Sequence, residues 1–524
     1  MIAIDHHLSR SSAGLSKRNF AFRSGITILS ALLIYLFMTH LFSNPVEGNS
    51  GKKLNSVNFI HWNDFHSANR PYIARWGRHR GSLVGGYANL AGYVDSLLKI
   101  YPEAVLLNAG DDFQGTPISS FTKGMSQILI LNRIMPTAFT IGNHEFDYGW
   151  DNLTSCMQHA RFPIISCNLY DSTKGGLAVE PYIIVMSNKV RIGVIGLIME
   201  SLSSTVMPLN MKGLAALDQV GAIRQQLDLL KNKTDLIVLL SHNGFDEDSL
   251  LALQLSDVDL IFGGHSHTVL FQPIKVNNIL ICQAGSQGQF LGHLQVTVDT
   301  EKKIVRDYQY ELIENVVGQV VPNPEVSRVV DSLEAILGSE MDKVVAELVS
   351  PWVRNSDGES NLGNWICDAL RDYFQTDLAL HNSGGIRKGM DAGPVRVRDI
   401  WEIAPFDNTI VTLRVTGDQL LSLLDWRIKH PRDLLQISGI RLIYDISEQV
   451  LIAATVAGQP IDPQQTYSIA TNNYITANLK RFFGLDPSEV KVEDSGLICR
   501  DVLVKAAEQQ KRIDSKVDGR LVLQ

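Results

Sequence analysis

The chain has 524 residues, 45% of them hydrophobic and 19% charged, with a formal net charge of -8. That length exceeds one ordinary domain and can bury at least two cores. The acidic balance gives no sign of the broad basic face by which proteins usually hold nucleic acid, so any attraction for phosphate must be local.

The first fifty residues stand apart. Arg10, Lys17, Arg18 and Arg23 precede an apolar run over 26–42, and Asp5 is the only acid before it. This is the order of a secretory signal or an N-terminal membrane anchor. At 17 residues the run is at the short limit for crossing a bilayer. The basic flank would stay cytoplasmic, so everything after Phe42 is expected outside, periplasmic or on the cell surface. Residues 1–53 are thus read as a basic segment plus a signal peptide or anchor. Five cysteines exclude a fully paired framework. Cys156 and Cys167 are close enough to pair in an oxidising compartment; burial as small hydrophobes is the alternative.

Residues 57–61, 104–108, 138–141, 190–197, 235–241 and 260–262 read as strands, and 86–98, 216–231 and 246–255 as helices by period and length. Strands alternating with helices predict a layered α/β domain over 54–315. Functional residues are then expected on the loops that follow the strands. Val321-Pro322-Asn323-Pro324 breaks the pattern, and 325–337 is predicted as a helix within a linker of 316–344. Residues 345–524 mix helices (362–374, 418–428) with strands (410–415, 439–444, 466–471), an α+β pattern.

Six short motifs carry the chemistry: Asp64-Phe65-His66, Asn108-Ala109-Gly110-Asp111-Asp112, Gly142-Asn143-His144-Glu145-Phe146-Asp147, Ser241-His242-Asn243-Gly244, Gly263-Gly264-His265 and His265-Ser266-His267. Most follow a β-rich run, and each offers oxygen or nitrogen donors. On an extended segment, residues two apart point the same way, so Asp64 and His66 can reach one ion, and His265 and His267 repeat that spacing. Gly110 permits a tight turn that aims a carboxylate back at the site. Asp111 and Asp112 face opposite ways if extended, so one ligand is expected from the pair. Histidines, carboxylates and one amide without thiolates suit Zn, Mn, Fe or Co. No Ser or Cys nucleophile motif is present.

Together and in this order, the motifs resemble those of the calcineurin-like metallophosphoesterases, and within them the 5'-nucleotidases with their C-terminal domain. The resemblance spans nearly everything after residue 55. It implies an N-terminal layered β-sandwich flanked by helices, a linker helix and a C-terminal α+β domain that sets substrate specificity. It also implies two divalent ions: Asp64, His66 and His267 on one, Asn143, His242 and His265 on the other, with Asp111 bridging both. His144, backed by Asp147, is then the catalytic dyad. Two such ions about 3.5–4 Å apart can clamp an in-line displacement, and can lower a water's pKa from 15.7 to roughly 7, so a bridging hydroxide would attack phosphorus directly.

Glu359-Ser360-Asn361-Leu362-Gly363-Asn364 is physically a helix cap and start; by resemblance it is a signature of the 5'-nucleotidase C-terminal domain. The same resemblance makes Asn382 and Arg387 contacts to the nucleotide, and Phe406 one wall of a base-stacking clamp, worth about 1–3 kcal/mol. Phe483 takes the second wall in Ala477-Asn478-Leu479-Lys480-Arg481-Phe482-Phe483, which lacks the glycine-rich turn of many relatives. Arg70, Arg75, Arg78 and Arg80 form either a solvated loop or a basic rim that draws in phosphates. The expected activity is release of phosphate from nucleoside 5'-monophosphates, with a small nucleotide as partner and no nucleic acid. UDP-sugar or 2',3'-cyclic nucleotide hydrolysis, thiosulfohydrolase action (by the Ser241 to Asp246 run) and non-catalytic nucleotide binding are the alternatives.

Overall fold

The computed structural model describes residues 54–430, 434–486 and 489–524. The basic segment and the apolar run 26–42 lie outside the described residues. Among the described residues no helix is long and apolar enough to cross a membrane.

Two six-stranded sheets build the N-terminal domain. The first runs Ile304–Glu314, Phe290–Asp299, Leu54–Trp62, Val105–Asn108, Ala138–Thr140, Ile164–Ile165; the second runs Ile274–Val276, Ile279–Cys282, Leu260–Phe262, Leu236–His242, Val190–Ile198, Tyr182–Ser187. Alternate residues of each strand face opposite cores. Phe59, Val105 and Leu107 meet Val194, Val238 and Leu240 between the sheets. Ile60 and Leu106 instead face a core shared with the helices Tyr87–Ile100 and Met125–Ile134. Ile195 and Leu239 pack under the helices Gln219–Leu230 and Phe245–Ala252. Strands covered on both faces read as unbroken Val/Ile/Leu runs. The helix expected over 216–231 begins only at Gln219, capped by Asp218, because Leu214–Ala216 pairs as a strand with Leu169–Asp171.

The central strands of both sheets run parallel. Their carboxyl ends, and the loops that follow, therefore gather at one edge of the sandwich, where such folds place ligands.

The helix Pro324–Glu334 starts behind Asn323, whose side chain accepts from the Glu325 and Val326 N–H groups. Val326, Val330 and Leu333 sink into the N-terminal core, and the chain turns at Gly338 (φ +67°) before the strand Val344–Leu348. Beyond it, a five-stranded sheet (Leu435–Ser438, Leu378–Asn382, Thr466–Asn472, Thr409–Thr416, Lys491–Ile498) separates two apolar cores. Ser360 caps the helix Asn361–Phe374 through the Gly363 N–H at 2.9 Å.

All five cysteines are free and buried. Cys156, on the helix Trp150–His159, donates weakly to the Lys123 carbonyl instead of pairing with Cys167. Burial pushes the Cys156 thiol up to about 11 and the Cys167 thiol to about 12, which keeps both in the poorly reactive thiol form.

Candidate metal centre

The loop after Leu54–Trp62 is laced to the loop after Val105–Asn108. The N–H groups of Asp64, His66 and Ser67 donate to the carbonyls of Gly110, Asp111 and Asp112, each at 2.9 Å. This lacing corrects the extended reading of Asp64-x-His66. Asp64, His66, Asp111, His265 and His267 all adopt left-handed backbone, with φ between 49° and 74°. For residues with a Cβ this conformation costs about 1–2 kcal/mol apiece and persists only where the surroundings impose it.

The curled loops bring donors together in three groups, each with ligand atoms within 4.8 Å of one another: Asp64, His66 and His267; His66, Asp111 and His144; and Asp111, His242 and His265. Asp111 lies in two of them. His66 Nε2 and His267 Nε2 are 3.0 Å apart, and His267 Nε2 is 3.3 Å from Asp64 Oδ1. Asn143 Oδ1 sits 3.0 Å from His265 Nδ1, and His242 Nε2 is 3.1 Å from Asp111 Oδ2.

These donors fit divalent cations. His242 Nδ1 lies 2.6 Å from the Ala109 carbonyl, which can only accept, so Nδ1 carries the proton and Nε2 presents its lone pair to the site. That Nε2 is wholly buried without a well-aligned hydrogen-bond partner. Burial alone would lower the His242 pKa, but the Asp111 carboxylate outweighs it and pushes it up to about 10. The potential at this point thus strongly favours a positive charge. Burial, then His242, lowers His265 to about 4. Burial, then Arg387, holds His66 well below the usual imidazole value, so its ring is neutral and able to ligate.

Asp112 faces away from the centre. Its carboxylate accepts from Tyr87 Oη and Asn108 Nδ2, and burial raises its pKa well above the carboxylate range. Only one of the two aspartates therefore points at the donors, although Asp111 is left-handed (φ +57°) and not extended. His144 Nδ1 bonds Asp147 Oδ2 at 2.9 Å, and the His144 Nε2 is 4.0 Å from Asp111 Oδ2. Burial opposes the charged imidazole, yet Asp147 and Asp111 raise its pKa overall.

Glu145 has no role in the sequence reading beyond its place in the motif. Its carboxylate accepts four backbone N–H bonds, from Gly142 (2.7 Å), Asp112 (2.8 Å), Asp111 (2.9 Å) and Phe113 (3.1 Å). Burial, then the Asp111 charge, pushes it up to about 7. One side chain thus shapes the turn bearing Asp111 and the turn bearing Asn143. Three of its four partners are backbone groups from another loop, and nothing in the local sequence marks them.

The C-terminal domain reaches the same cavity. Arg387 Nη2 lies 3.3 Å from His66 Nε2, with its guanidinium 5.9 Å from the Phe406 ring centre. The Phe406 ring is 5.7 Å from that of His144 and is only half-buried. Arg354, absent from the sequence reading, is close enough for its charge to depress the Arg387 pKa, second to burial; it lies in an irregular segment with no pattern to mark it. Asn382, 4% exposed, accepts from Asn472 Nδ2 at 3.0 Å within its own sheet.

Phe483 is not brought to the site. It is 1% exposed inside the C-terminal core, against Phe482. Without the glycines of the expected turn, residues Leu479–Phe483 coil into a helix that buries both rings and ends at Gly484 (φ +68°). The arginine rim is also partly taken up: Arg70 pairs with Asp331 (3.3 Å) and Glu334 (3.8 Å) on the linker helix, and Arg75 lies against Gly389.

Residues 57–269 match the calcineurin-like phosphoesterase family, and residues 344–484 match the 5'-nucleotidase C-terminal domain. An apyrase of Tabanus yao is 26% identical, over 95% of this chain and 99% of its own length. The structure of a 5'-nucleotidase precursor from Thermus thermophilus superposes with a TM-score of 0.83 at 27% identity, covering 89% of this chain and 99% of that one. The sulfate thiohydrolase SoxB of Thermus thermophilus shares the fold, with a TM-score of 0.78 at 15% identity over 89% and 96% of the two chains. With these two domains in this order, the chain is a metal-dependent phosphoester hydrolase with an N-terminal calcineurin-like phosphoesterase domain and a 5'-nucleotidase C-terminal domain.

Proposed function

We propose that this protein is an exported hydrolase with a dinuclear metal centre that releases phosphate from nucleoside 5'-monophosphates. The observation that carries the reading is that Asp111 groups with His242 and His265 on one side and, on the other, with His66, which itself groups with Asp64 and His267. In this reading Asp64, His66 and His267 would hold one ion, Asn143, His242 and His265 would hold the other, and Asp111 would serve both. When bound, two divalent ions would supply Lewis acidity, activating water near neutral pH and offsetting phosphoryl charge.

The chain's own residues do the rest. Arg387 pairs with the phosphate, and its low exposure strengthens that attraction. Asp147 holds the His144 ring by Nδ1, leaving Nε2 to donate to a phosphoryl or leaving oxygen as charge develops there. Phe406 stacks on the base, and Asn382 contacts the nucleotide beside Arg387. We assign residues 54–315 to the catalytic domain, 316–344 to the linker and 345–524 to the specificity domain. Residues 1–53 are assigned to export, as a signal peptide or anchor. A second reading, thiosulfohydrolase action, is supported by the Ser241-His242-Asn243-Gly244-Phe245-Asp246 run and by the burial of Phe483, which leaves one aromatic wall.

The test is product release by the purified chain from AMP and other 5'-monophosphates, UDP-sugars, 2',3'-cyclic nucleotides, a simple sugar phosphate and a thiosulfonate, after chelation and after add-back of Zn, Mn, Fe or Co. AMP should be cleaved fastest among the phosphomonoesters, and only with metal restored. Cleavage of AMP no faster than of the sugar phosphate overturns nucleotide specificity.

A further inference from the structure

One short segment touches the ligand set, the dyad and the C-terminal domain at once. After the strand Val190–Ile198 the chain makes two tight turns, Glu200–Ser204 and Pro208–Met211. At its start the Met199 N–H donates to the His242 carbonyl at 3.1 Å. Near its end Asn210 Nδ2 donates to the Asp147 carbonyl at 2.9 Å, closing the turn that presents His144. Between these points the Ser204 carbonyl accepts two bonds from the C-terminal domain, from Tyr474 Oη at 3.1 Å and from the Arg481 guanidinium.

Both donors are held in place. The Arg481 guanidinium is 5.4 Å from the Phe482 ring centre, and Tyr474 meets the same ring edge-on at 5.8 Å; Phe482 is wholly buried. The segment they grip is stiff as well. Met199, Leu202, Val206 and Met211 are buried in one core with Phe146, and such close-packed interiors transmit displacement instead of absorbing it. The helix that hides Phe483 thus aims Arg481 across the domain junction.

We infer that Arg481 and Tyr474 are positioning residues: seated on the Ser204 carbonyl, they hold segment 199–211, and through Asn210 and Met199 they hold Asp147 and His242 in working geometry. The dyad is then fully ordered only while the C-terminal domain is docked. The kinetic part of this inference rests on the hydrolase reading above; the mechanical part does not.

The experiment compares Arg481→Ala, Arg481→Lys, Tyr474→Phe, Asn210→Ala and the Arg481→Ala/Asn210→Ala pair in the full, metal-loaded chain. Phosphate release from AMP is measured alongside hydrogen exchange of peptides covering 144–149 and 199–211. Arg481→Ala should lower kcat about ten-fold, the scale of a small misplacement of catalytic groups, with KM changed less than about two-fold. Lysine, which can still donate to Ser204, should recover most of it, and Tyr474→Phe should show a smaller loss of the same kind. The pair should lose no more than the worse single variant, because both cut one path. Exchange should quicken in both segments in Arg481→Ala. A higher KM with unchanged kcat, multiplicative losses in the pair, or faster exchange confined to 200–205 and 479–483 overturns the inference. If the parent chain releases no phosphate from any substrate, the hydrolase reading fails, and unchanged exchange over 144–149 in Arg481→Ala still refutes the coupling by itself.

Discussion

Glu145→Gln changes no bulk, yet it should dismantle the turn that presents Asp111. One carboxylate oxygen accepts from Asp112 and Phe113, the other from Asp111 and Gly142. Whichever way a glutamine amide turns, its NH2 meets two backbone N–H groups that it cannot satisfy. Glu145 is 1% exposed, so water does not replace the lost acceptor. A buried donor left unsatisfied costs about 1–3 kcal/mol, which gives roughly 2–6 kcal/mol for the two. That is a large share of a total stability of about 5–15 kcal/mol. The left-handed backbone at Asp111 (φ +57°) would then relax, carrying the carboxylate away from His242. The assay is urea denaturation of the metal-free chain, paired with metal analysis of the same variant at saturating Zn or Mn. The midpoint should fall and the metal content should drop together. A glutamine variant within about 0.5 kcal/mol of the parent and fully metal-loaded would refute the argument that these four bonds shape the site.

Three further predictions follow. His144→Ala should keep its metal and lose about 10²- to 10⁴-fold in turnover, whereas Asp111→Asn should lose metal too; equal metal content in both variants, measured by mass spectrometry, would contradict the bridging assignment. Phe406→Ala should weaken AMP binding by the stacking free energy of about 1–3 kcal/mol, roughly 5- to 150-fold in KM, with a simple sugar phosphate unaffected. Phe483→Ala should instead cost about 3–5 kcal/mol of stability and leave the ratio of the two activities unchanged; a selective loss of AMP cleavage there would return Phe483 to the substrate.

Much of the architecture was legible before any coordinates. The central strands announced themselves because both of their faces are covered, so nearly every position is apolar. Pro324 and Ser360 marked helix starts because proline fits the first helical turn and an N-cap side chain acts on N–H groups only two or three residues away. The hairpin Phe290–Asp299 with Ile304–Glu314 was not legible. Its outer strand is half-exposed, and its apolar pattern is diluted by residues that face water. The strand Leu214–Ala216 was not legible either, and its last residue read as the start of a helix: three residues are too few to show a period.

Residue type and local spacing determined which side chains could act as donors, since the chemistry of an imidazole or carboxylate travels with the residue. Only tertiary packing decided which of those donors meet. The left-handed turns at Asp64, His66 and Asp111 exist because two loops from neighbouring strands bond to each other, and Glu145 matters because backbone groups from two separate turns close around it. Phe483 illustrates the same division: an aromatic ring can stack on a base or fill a core, and what settles it is the helix into which its neighbours fold and the apolar surface waiting beneath.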